Sequence, residues 1–186
     1  MPFKLLQPEQ GKLLVSEPSL QDFYFNKSVV LLAEHNAEGS FGIIINKPVG
    51  IKLQDVLTDF PEINFPLFFG GPVNTNCLYF IHRVGNKIPK SVHITDGIFW
   101  GGDIEIAKQL INDARITNNQ IRFFIGYSGW NPNQLTQELK EKSWVVTNFS
   151  DSQWDETPKM LWGNILRTLG GEYTLWANSP SDPAMN

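Results

Sequence analysis

The side chains best suited to bind a ligand or a partner lie in two short stretches and at one strand end. Glu34 and His35 close an apolar run that is typical of a strand, and Asn46 closes the next such run. The second stretch, from Tyr127 onward, has glycines on both sides of Ser128, which allow a ligand to approach the backbone closely. These features predict a ligand or partner surface with seven members: Glu34, His35, Asn46, Tyr127, Trp130, Gln134 and Glu138.

The stretch around Trp130 also has a purely structural interpretation, which we favour. Its glycines end a buried strand in a tight turn, and Asn131 is placed to cap a helix that begins at Pro132. Gln134 follows Asn131 by three residues, as in a capping box. The two interpretations differ in one point, which is whether Tyr127 and Trp130 face the core or something bound.

Three histidines and two carboxylates have the chemistry to bind zinc or to transfer protons: Glu34, His35, His82, His93 and Asp96. They fall on separate predicted elements, and the sequence contains no H-x-x-x-H or C-x-x-C pattern. Histidines that are hydrogen-bonded at strand ends explain the same residues without a metal. We therefore predict no metal site and no cofactor.

Three residues are candidate nucleophiles, namely Ser28, Ser128 and Cys77. Ser128 lies between a predicted strand and a predicted helix, but Gly126-Tyr127-Ser128-Gly129 lacks the spacing of the G-x-S-x-G nucleophile elbow. Cys77 stands in an apolar run, where a thiol usually behaves as a small buried hydrophobe. We assign no catalytic residue. One alternative stays open, which is a hydrolase that uses His35 with a nearby carboxylate, or Ser128 with His35 or His82.

Two glycine pairs resemble phosphate-binding turns, but each lacks a feature that such a turn needs. Gly70-Gly71 is followed by Pro72, which has no backbone N–H to donate to a phosphate. Gly101-Gly102 is followed by Asp103, which would repel an anion, so we predict that Asp103 caps the next helix. Neither pair predicts nucleotide binding.

Charge and hydropathy limit the partners of the chain. It carries 15 Lys and Arg against 19 Asp and Glu, a net charge of -4, and it shows no helix-turn-helix pattern or basic arm. These features argue against direct binding to DNA. No apolar run is long enough to span a bilayer, and residues 1–9 contain no signal-peptide core. We therefore expect a cytoplasmic protein with no membrane partner.

Apolar periodicity predicts an α+β protein. Strands are expected at residues 12–16, 28–34, 41–46, 77–84, 121–126 and 143–147. Helices are expected at residues 53–57, 104–114, 132–142 and 158–169. Hairpins come first and alternating helices follow, which favours one domain over residues 1–186 with a mixed sheet.

Six segments, in this order along the chain, carry a resemblance to a known family: Gly11–Ser16, Ser28–His35, Gly42–Pro48, Gly70–Val73, Gly126–Trp130 and Asp182–Asn186. Together they are similar to the bacterial AlgH/YqgE family, from about Gly11 to the C-terminus. The resemblance implies a compact domain in which a mixed, branched β-sheet is surrounded by helices. Asn133 stands where a glycine is common in that family, which bears on the conformation of its loop.

The resemblance also implies a role in the regulation of transcription, because the family carries the label of a transcriptional regulator. It brings no catalytic residues to positions of this chain. Since the charge balance argues against contact with DNA, we expect an indirect role through a protein or small-molecule partner. The sequence thus predicts a non-enzymatic binding module, whose ligand it does not identify.

Overall fold

The structure is a computed structural model that describes residues 6–20, 22–60 and 64–180. The strands in these ranges are β1 (Lys12–Ser16), β2 (Val29–Asn36), β3 (Gly39–Ile44), β4 (Pro48–Lys52), β5 (Pro66–Phe69), β6 (Val73–His82), β7 (Val92–Thr95), β8 (Ile98–Trp100), β9 (Ile121–Trp130) and β10 (Trp144–Asn148). The helices are α1 (Leu53–Val56), α2 (Ile104–Asn112), α3 (Gln134–Lys140), α4 (Asp151–Trp154), α5 (Pro158–Leu169) and α6 (Glu172–Ala177), with a 3₁₀ turn at Gly85–Lys87. The segment Asp182–Asn186 lies outside the described residues.

The strands form one mixed, branched sheet, in the order β10-β1-β2-β3-β9-β6-β8-β7. β5 adds the branch, because it pairs with β4 and also with β9. The β5–β9 pair is parallel, from Leu67↔Phe123 to Phe69↔Ile125, and the other pairs between described strands are antiparallel. This architecture confirms the predicted α+β class and the branched sheet.

Helices cover both faces of the sheet. On β1, Leu13 belongs to the core beneath α5, and its neighbour Leu14 belongs to the core beneath α3. α2 closes a third core against Phe123 of β9. Strands that are buried on both faces account for the continuous apolar runs of the sequence. Among the described helices, none has the length and apolar character needed to cross a membrane.

Several predicted elements are confirmed in detail. β2 and β3 form the expected hairpin, with pairs that run from Val30↔Ile44 to Asn36↔Gly39. Asp103 caps α2, because its Oδ1 accepts hydrogen bonds from the N–H groups of Glu105 and Ile106 at 3.1 and 3.3 Å. α5 spans Pro158–Leu169, as its apolar stripe predicts. The apolar patterns of the sequence did not predict β4, β5, β7, β8, α4 or α6.

The predicted strand end at Gly126 is wrong, because β9 continues to Trp130. Gly126 has φ +68°, and a second segment of the chain crosses the strand there. Gly70 and Gly71 form this crossing on the way from β5 to β6. A Cβ on Gly70 would lie 2.3 Å from the Gly126 oxygen, and one on Gly71 would lie 2.2 Å from the Tyr127 carbonyl. Glycine is therefore required at these positions, because two stretches of backbone pack directly against each other and leave no space for a Cβ atom.

Hydrogen bonds fix the crossing to two strands. The Gly70 N–H donates to the Ile125 oxygen of β9 at 2.8 Å, and the Gly70 oxygen accepts from the Ile44 N–H of β3 at 2.9 Å. The same oxygen accepts a hydrogen bond from Ser128 Oγ at 3.0 Å. Ser128 is fully buried, so the crossing satisfies its hydroxyl away from water. We use the term glycine crossing for Gly70, Gly71 and Gly126 with this set of bonds.

The predicted burial of Cys77 is also wrong, because its side chain is exposed. The pairing of β6 with β9 shifts register between Val73↔Tyr127 and Leu78↔Ile125. The residues between Val73 and Leu78 have no partner on β9 and bulge outward. The apolar run that begins at Cys77 therefore turns into the core only at the residues that follow Cys77.

We predict that Gly71→Ala lowers the free energy of unfolding by more than about 4 kcal/mol, because the new Cβ would overlap the Tyr127 backbone. Gly97→Ala is the matched control. Gly97 has φ +70°, but a Cβ there would meet no atom within 4 Å, so this variant should lose only about 1–2 kcal/mol through backbone strain. Urea unfolding followed by circular dichroism measures both. Equal losses in the two variants would contradict the crossing as the cause.

Candidate functional site

A cleft with a volume of about 710 Å³ opens beside the turn of the β2–β3 hairpin. The hairpin supplies one wall, β6 and β8 supply another, and the end of β9 supplies the floor. Its lining combines aromatic, acidic and amide side chains with a few small residues: Glu34, Asn36, Glu38, Gly39, Ser40, Phe41, Val73, Tyr79, Trp100, Tyr127, Gly129, Trp130, Asn131 and Gln134.

Four of the seven predicted surface residues line this cleft, namely Glu34, Tyr127, Trp130 and Gln134. The other three lie elsewhere. His35 lines an adjoining recess of about 230 Å³, where its Nδ1 lies 2.6 Å from Ser40 Oγ. The strand alternation explains this separation, because neighbouring residues of β2 point to opposite faces.

Asn46 is buried at the other end of the hairpin, and its amide joins two backbone segments. Its Oδ1 accepts from the Val29 N–H at 2.8 Å, and its Nδ2 donates to the Lys27 oxygen at 3.0 Å. Both ends of the amide therefore have backbone partners at the start of β2. Asn46 does not reach the cleft at the hairpin turn.

Glu138 lies behind the cleft and holds two buried tryptophans. Its Oε2 accepts from Trp130 Nε1 at 2.9 Å and from Trp144 Nε1 at 2.7 Å, while Oε1 accepts from Gln134 Nε2 at 3.0 Å. Trp130 is 5% exposed and Trp144 is 4% exposed. The largely buried Trp130 ring answers the question left open by the sequence, because it packs in the core and presents only a small part to the cleft.

The aromatic residues that dominate the cleft were mostly missed by the sequence analysis. Phe41, Tyr79, Trp100 and Tyr127 form a closed set of contacts, which we call the aromatic cluster. Ring centroids are 5.3 Å apart for Phe41 and Trp100, and 5.5 Å apart for Tyr79 and Tyr127, both edge to face. All four rings are half-buried. Each ring comes from a different strand, so no local sequence pattern marks the cluster.

The charged side chains that the structure describes in the lining of the cleft are all acidic. Glu34 and Glu38 are exposed at its edge, and among the described residues no Lys, Arg or His lines it. Asn36 orders this edge, because its Nδ2 donates to Glu34 Oε1 at 2.5 Å and its Oδ1 accepts from the Glu38 N–H at 2.8 Å. Two carboxylates without a basic neighbour in the cleft produce a negative potential beside the aromatic cluster.

The helix after the cleft begins later than predicted. α3 starts at Gln134, not at Pro132, and Asn133 precedes it with φ +66°. This left-handed conformation is one that glycine adopts freely and asparagine tolerates, which explains the residue type at Asn133. Half of the predicted capping box is present, since Gln134 Oε1 accepts from the Asn131 N–H at 3.0 Å.

Two of the three candidate nucleophiles, the serines, have structural partners. Ser128 Oγ donates to Gly70 O within the glycine crossing, and Ser28 Oγ donates to the Tyr24 oxygen at 3.3 Å. Both serines are fully buried. Their hydroxyls are therefore held away from the cleft, and neither is positioned to attack a substrate there.

The histidines do not form a cluster. Within the described ranges, no three His, Cys, Asp or Glu side chains come close enough together to hold a metal ion. His82 is fully buried, with Nε2 at 3.1 Å from the Gly101 oxygen and Nδ1 accepting from the Val84 N–H at 3.4 Å. A carbonyl oxygen can only accept a hydrogen bond and a backbone N–H can only donate one. We therefore assign the ring proton to Nε2. Burial lowers the pKa of His82, and this effect outweighs the hydrogen bond to Gly101, which raises it.

Comparisons with known proteins agree with this fold. A family model described as AlgH-like matches residues 13–174. A UPF0301 protein of Cytophaga hutchinsonii is 42% identical over 179 residues, which cover 95% of this chain and 98% of the relative. A UPF0301 protein of Chlorobaculum tepidum is 42% identical over 186 residues, which cover 99% of this chain and 98% of the relative. The relatives thus match along nearly their whole length.

Two solved structures share the fold. A crystal structure of a Corynebacterium diphtheriae protein superposes with a TM-score of 0.75 at 22% identity, and covers 95% of both chains. The solution structure of the AlgH protein from Pseudomonas aeruginosa superposes with a TM-score of 0.70 at 22% identity, and covers 97% of this chain and 100% of that one. At this identity the likeness concerns the fold alone.

We predict that Glu138→Ala lowers the free energy of unfolding by about 2–4 kcal/mol, because two buried indole N–H groups lose their acceptor. Gln137→Ala is the matched control, since Gln137 is exposed on the same helix and should change stability by less than about 0.5 kcal/mol. Urea unfolding followed by tryptophan fluorescence compares them. A loss in Glu138→Ala no larger than in the control would contradict this role.

His82 should make the protein less stable in mild acid. Its folded pKa is lowered, so the unfolded chain binds more protons as the pH falls below the ordinary histidine value of about 6.5. The stabilisation by neutral His82 is complete above that pH and is lost as the pH falls towards the folded pKa. Urea unfolding at about pH 7.5 and pH 5 should show this loss in the wild type. His82→Gln should reduce it, whereas His93→Gln, at an exposed position, should not.

Proposed function

We propose that this chain, which belongs to the AlgH-like family, is a binding module whose cleft takes a positively charged organic group. The group is an ammonium or a guanidinium, carried by a small molecule or by the side chain of a protein partner. One observation carries the proposal, namely the aromatic cluster beside Glu34 and Glu38 in a cleft without a basic residue among those described.

The aromatic cluster supports a cation as the ligand. The faces of aromatic rings carry partial negative charge, and they attract ammonium or guanidinium groups within about 6 Å of the ring centre. Trp100 offers the strongest such face. Phe41 and Tyr79 contact its ring, and Tyr127 contacts both of these. The same rings provide apolar area for the carbon atoms attached to the charged group.

The two carboxylates also favour a cation as the ligand. Glu34 and Glu38 attract a cation by long-range electrostatics and can accept its hydrogen bonds. The same carboxylates repel phosphates and other anions, which argues against nucleotides in this cleft. The amide groups of Asn131 and Gln134 at the other edge offer neutral hydrogen-bonding partners for the rest of the ligand.

A binding role fits the cleft better than hydrolysis. The hydrolase alternative would need His35 or Ser128 in the cleft, and Ser128 is buried with its Oγ bonded to Gly70 O. His35 lines a different recess and lies against Ser40 Oγ.

We propose that any effect on transcription is indirect and follows from occupancy of the cleft, in keeping with the net charge of -4.

Choline and its neutral isostere 3,3-dimethylbutan-1-ol test the proposal, because they share a shape and differ in charge. We expect choline to bind at least about tenfold more tightly, as followed by NMR signals of the Trp100 indole. Glu34→Gln keeps the hydrogen-bonding shape and should weaken choline binding about two- to fivefold, with little effect on the neutral isostere.

Glu141→Gln is the matched control, since Glu141 is exposed just after α3 and does not line the cleft. It should leave choline binding unchanged. Ethylguanidinium, which carries no amine, is tested beside choline and reports whether guanidinium or ammonium is preferred. Equal affinity for choline and the neutral isostere, or shifts confined to residues outside the cleft, would contradict the proposal.

A further inference from the structure

A second pocket, of about 390 Å³, lies at the opposite end of the β2–β3 hairpin from the cleft. We call it the basic pocket, because four cationic side chains line it and no acidic residue does among those described: Lys27, Lys47, Lys159 and Arg167. Its lining shares no residue with that of the cleft. In a chain with a net charge of -4, a local group of four cations requires an explanation.

The four cations have few negative partners. Within the described part of the chain, no carboxylate oxygen lies within 4.0 Å of any of the four. Lys27 Nζ donates to the Ser179 oxygen at 2.7 Å, and Lys47 Nζ donates to the Tyr24 oxygen at 2.5 Å. Arg167 Nη1 donates to the neutral amide of Asn164 at 3.0 Å. Neutral oxygens orient these side chains but do not neutralise their charge.

Burial makes this arrangement costly for two of the lysines. Burial lowers the pKa of Lys27, whose Nζ lies 4.9 Å above the Trp162 ring. Burial also lowers the pKa of Lys47, although the charge of Asp22 partly opposes it. A cation that is partly removed from water gains most from a nearby anion.

The helix α5 shapes the other side of the basic pocket. Lys159, Gly163 and Arg167 recur every four residues and so share one face of the helix. Gly163 has no side chain, which leaves space between the two charged residues. A Cβ at Gly163 would lie 3.1 Å from Arg167 Nη1, so the guanidinium lies against the helix backbone.

We propose that the basic pocket binds the phosphate group of a small, freely diffusing phosphorylated molecule. A phosphate monoester carries close to two negative charges at neutral pH and three acceptor oxygens, which suit several cations around one point. The arginine fork can bind two of these oxygens, and lysines act as point charges towards the others. A pocket of about 390 Å³ accommodates the phosphate and a short carbon skeleton.

The proposal is independent of the cation-binding cleft, because the two sites share no lining residue. Lys27 and Lys47 flank the open end of the hairpin, whereas Glu34 and Glu38 flank its turn. An extended strand rises about 3.4 Å per residue, so the eight residues of β2 separate the two sites by roughly 25 Å. A failure at one site therefore leaves the other unaffected.

Calorimetric titration with glycerol 3-phosphate, at constant ionic strength, tests the basic pocket. We expect binding that glycerol does not show, and we expect Arg167→Gln to weaken it about tenfold. Lys159→Gln should weaken it as well. Both side chains are exposed, so these variants should fold normally, which circular dichroism checks. Lys140→Gln is the matched control, because this exposed lysine of α3 lies outside the pocket.

Four outcomes would overturn the proposal. The first is no heat of binding with glycerol 3-phosphate, and the second is equal weakening by Arg167→Gln and Lys140→Gln. The third outcome is tested with vesicles of phosphatidylcholine and phosphatidate, which present the phosphate on a lipid headgroup. If the protein sediments with these vesicles and does not bind glycerol 3-phosphate, the ligand is a lipid headgroup. Binding of succinate as tightly as glycerol 3-phosphate would also remove phosphate as the recognised group.

Discussion

The glycine crossing is the contact on which the rest of the structure depends. At this point the chain between β5 and β6 passes directly over β9, at a distance that admits no side chain on Gly70, Gly71 or Gly126. The Gly70 peptide then bonds to β9 through Ile125 and to β3 through Ile44. The two halves of the branched sheet are therefore joined through backbone atoms, and the buried Ser128 hydroxyl completes the junction.

The crossing also explains how the cleft is built. Because β9 continues beyond Gly126, it pairs first with β5 and β6 and then with β3, so Tyr127 stands between the two halves of the sheet. The aromatic cluster draws one ring each from β3, β6, β8 and β9. The hairpin β2–β3 then carries carboxylates at its turn and cations at its open end. One hairpin thus separates two sites of opposite charge.

The sequence predicted those features that depend on local chemistry. The helix cap at Asp103 and the start of α5 at Pro158 follow from neighbouring residues alone. The role of Gly126 could not be predicted, because a glycine in a turn and a glycine beneath a crossing chain look alike in sequence. The aromatic cluster was missed for a related reason, since Phe41 and Trp100 are far apart along the chain and meet only through the pairing of the sheet.

Amide hydrogen exchange under native conditions tests the glycine crossing most directly. The account predicts that the Gly70 and Ile44 amides, bonded to Ile125 O and Gly70 O, exchange only through global unfolding, with the slowest rates in the protein. In Ser128→Ala both amides should still exchange together, at a rate raised to the same extent as global unfolding. Exchange of these two amides by local opening, while the amides of β1 and β2 stay protected, would contradict the account.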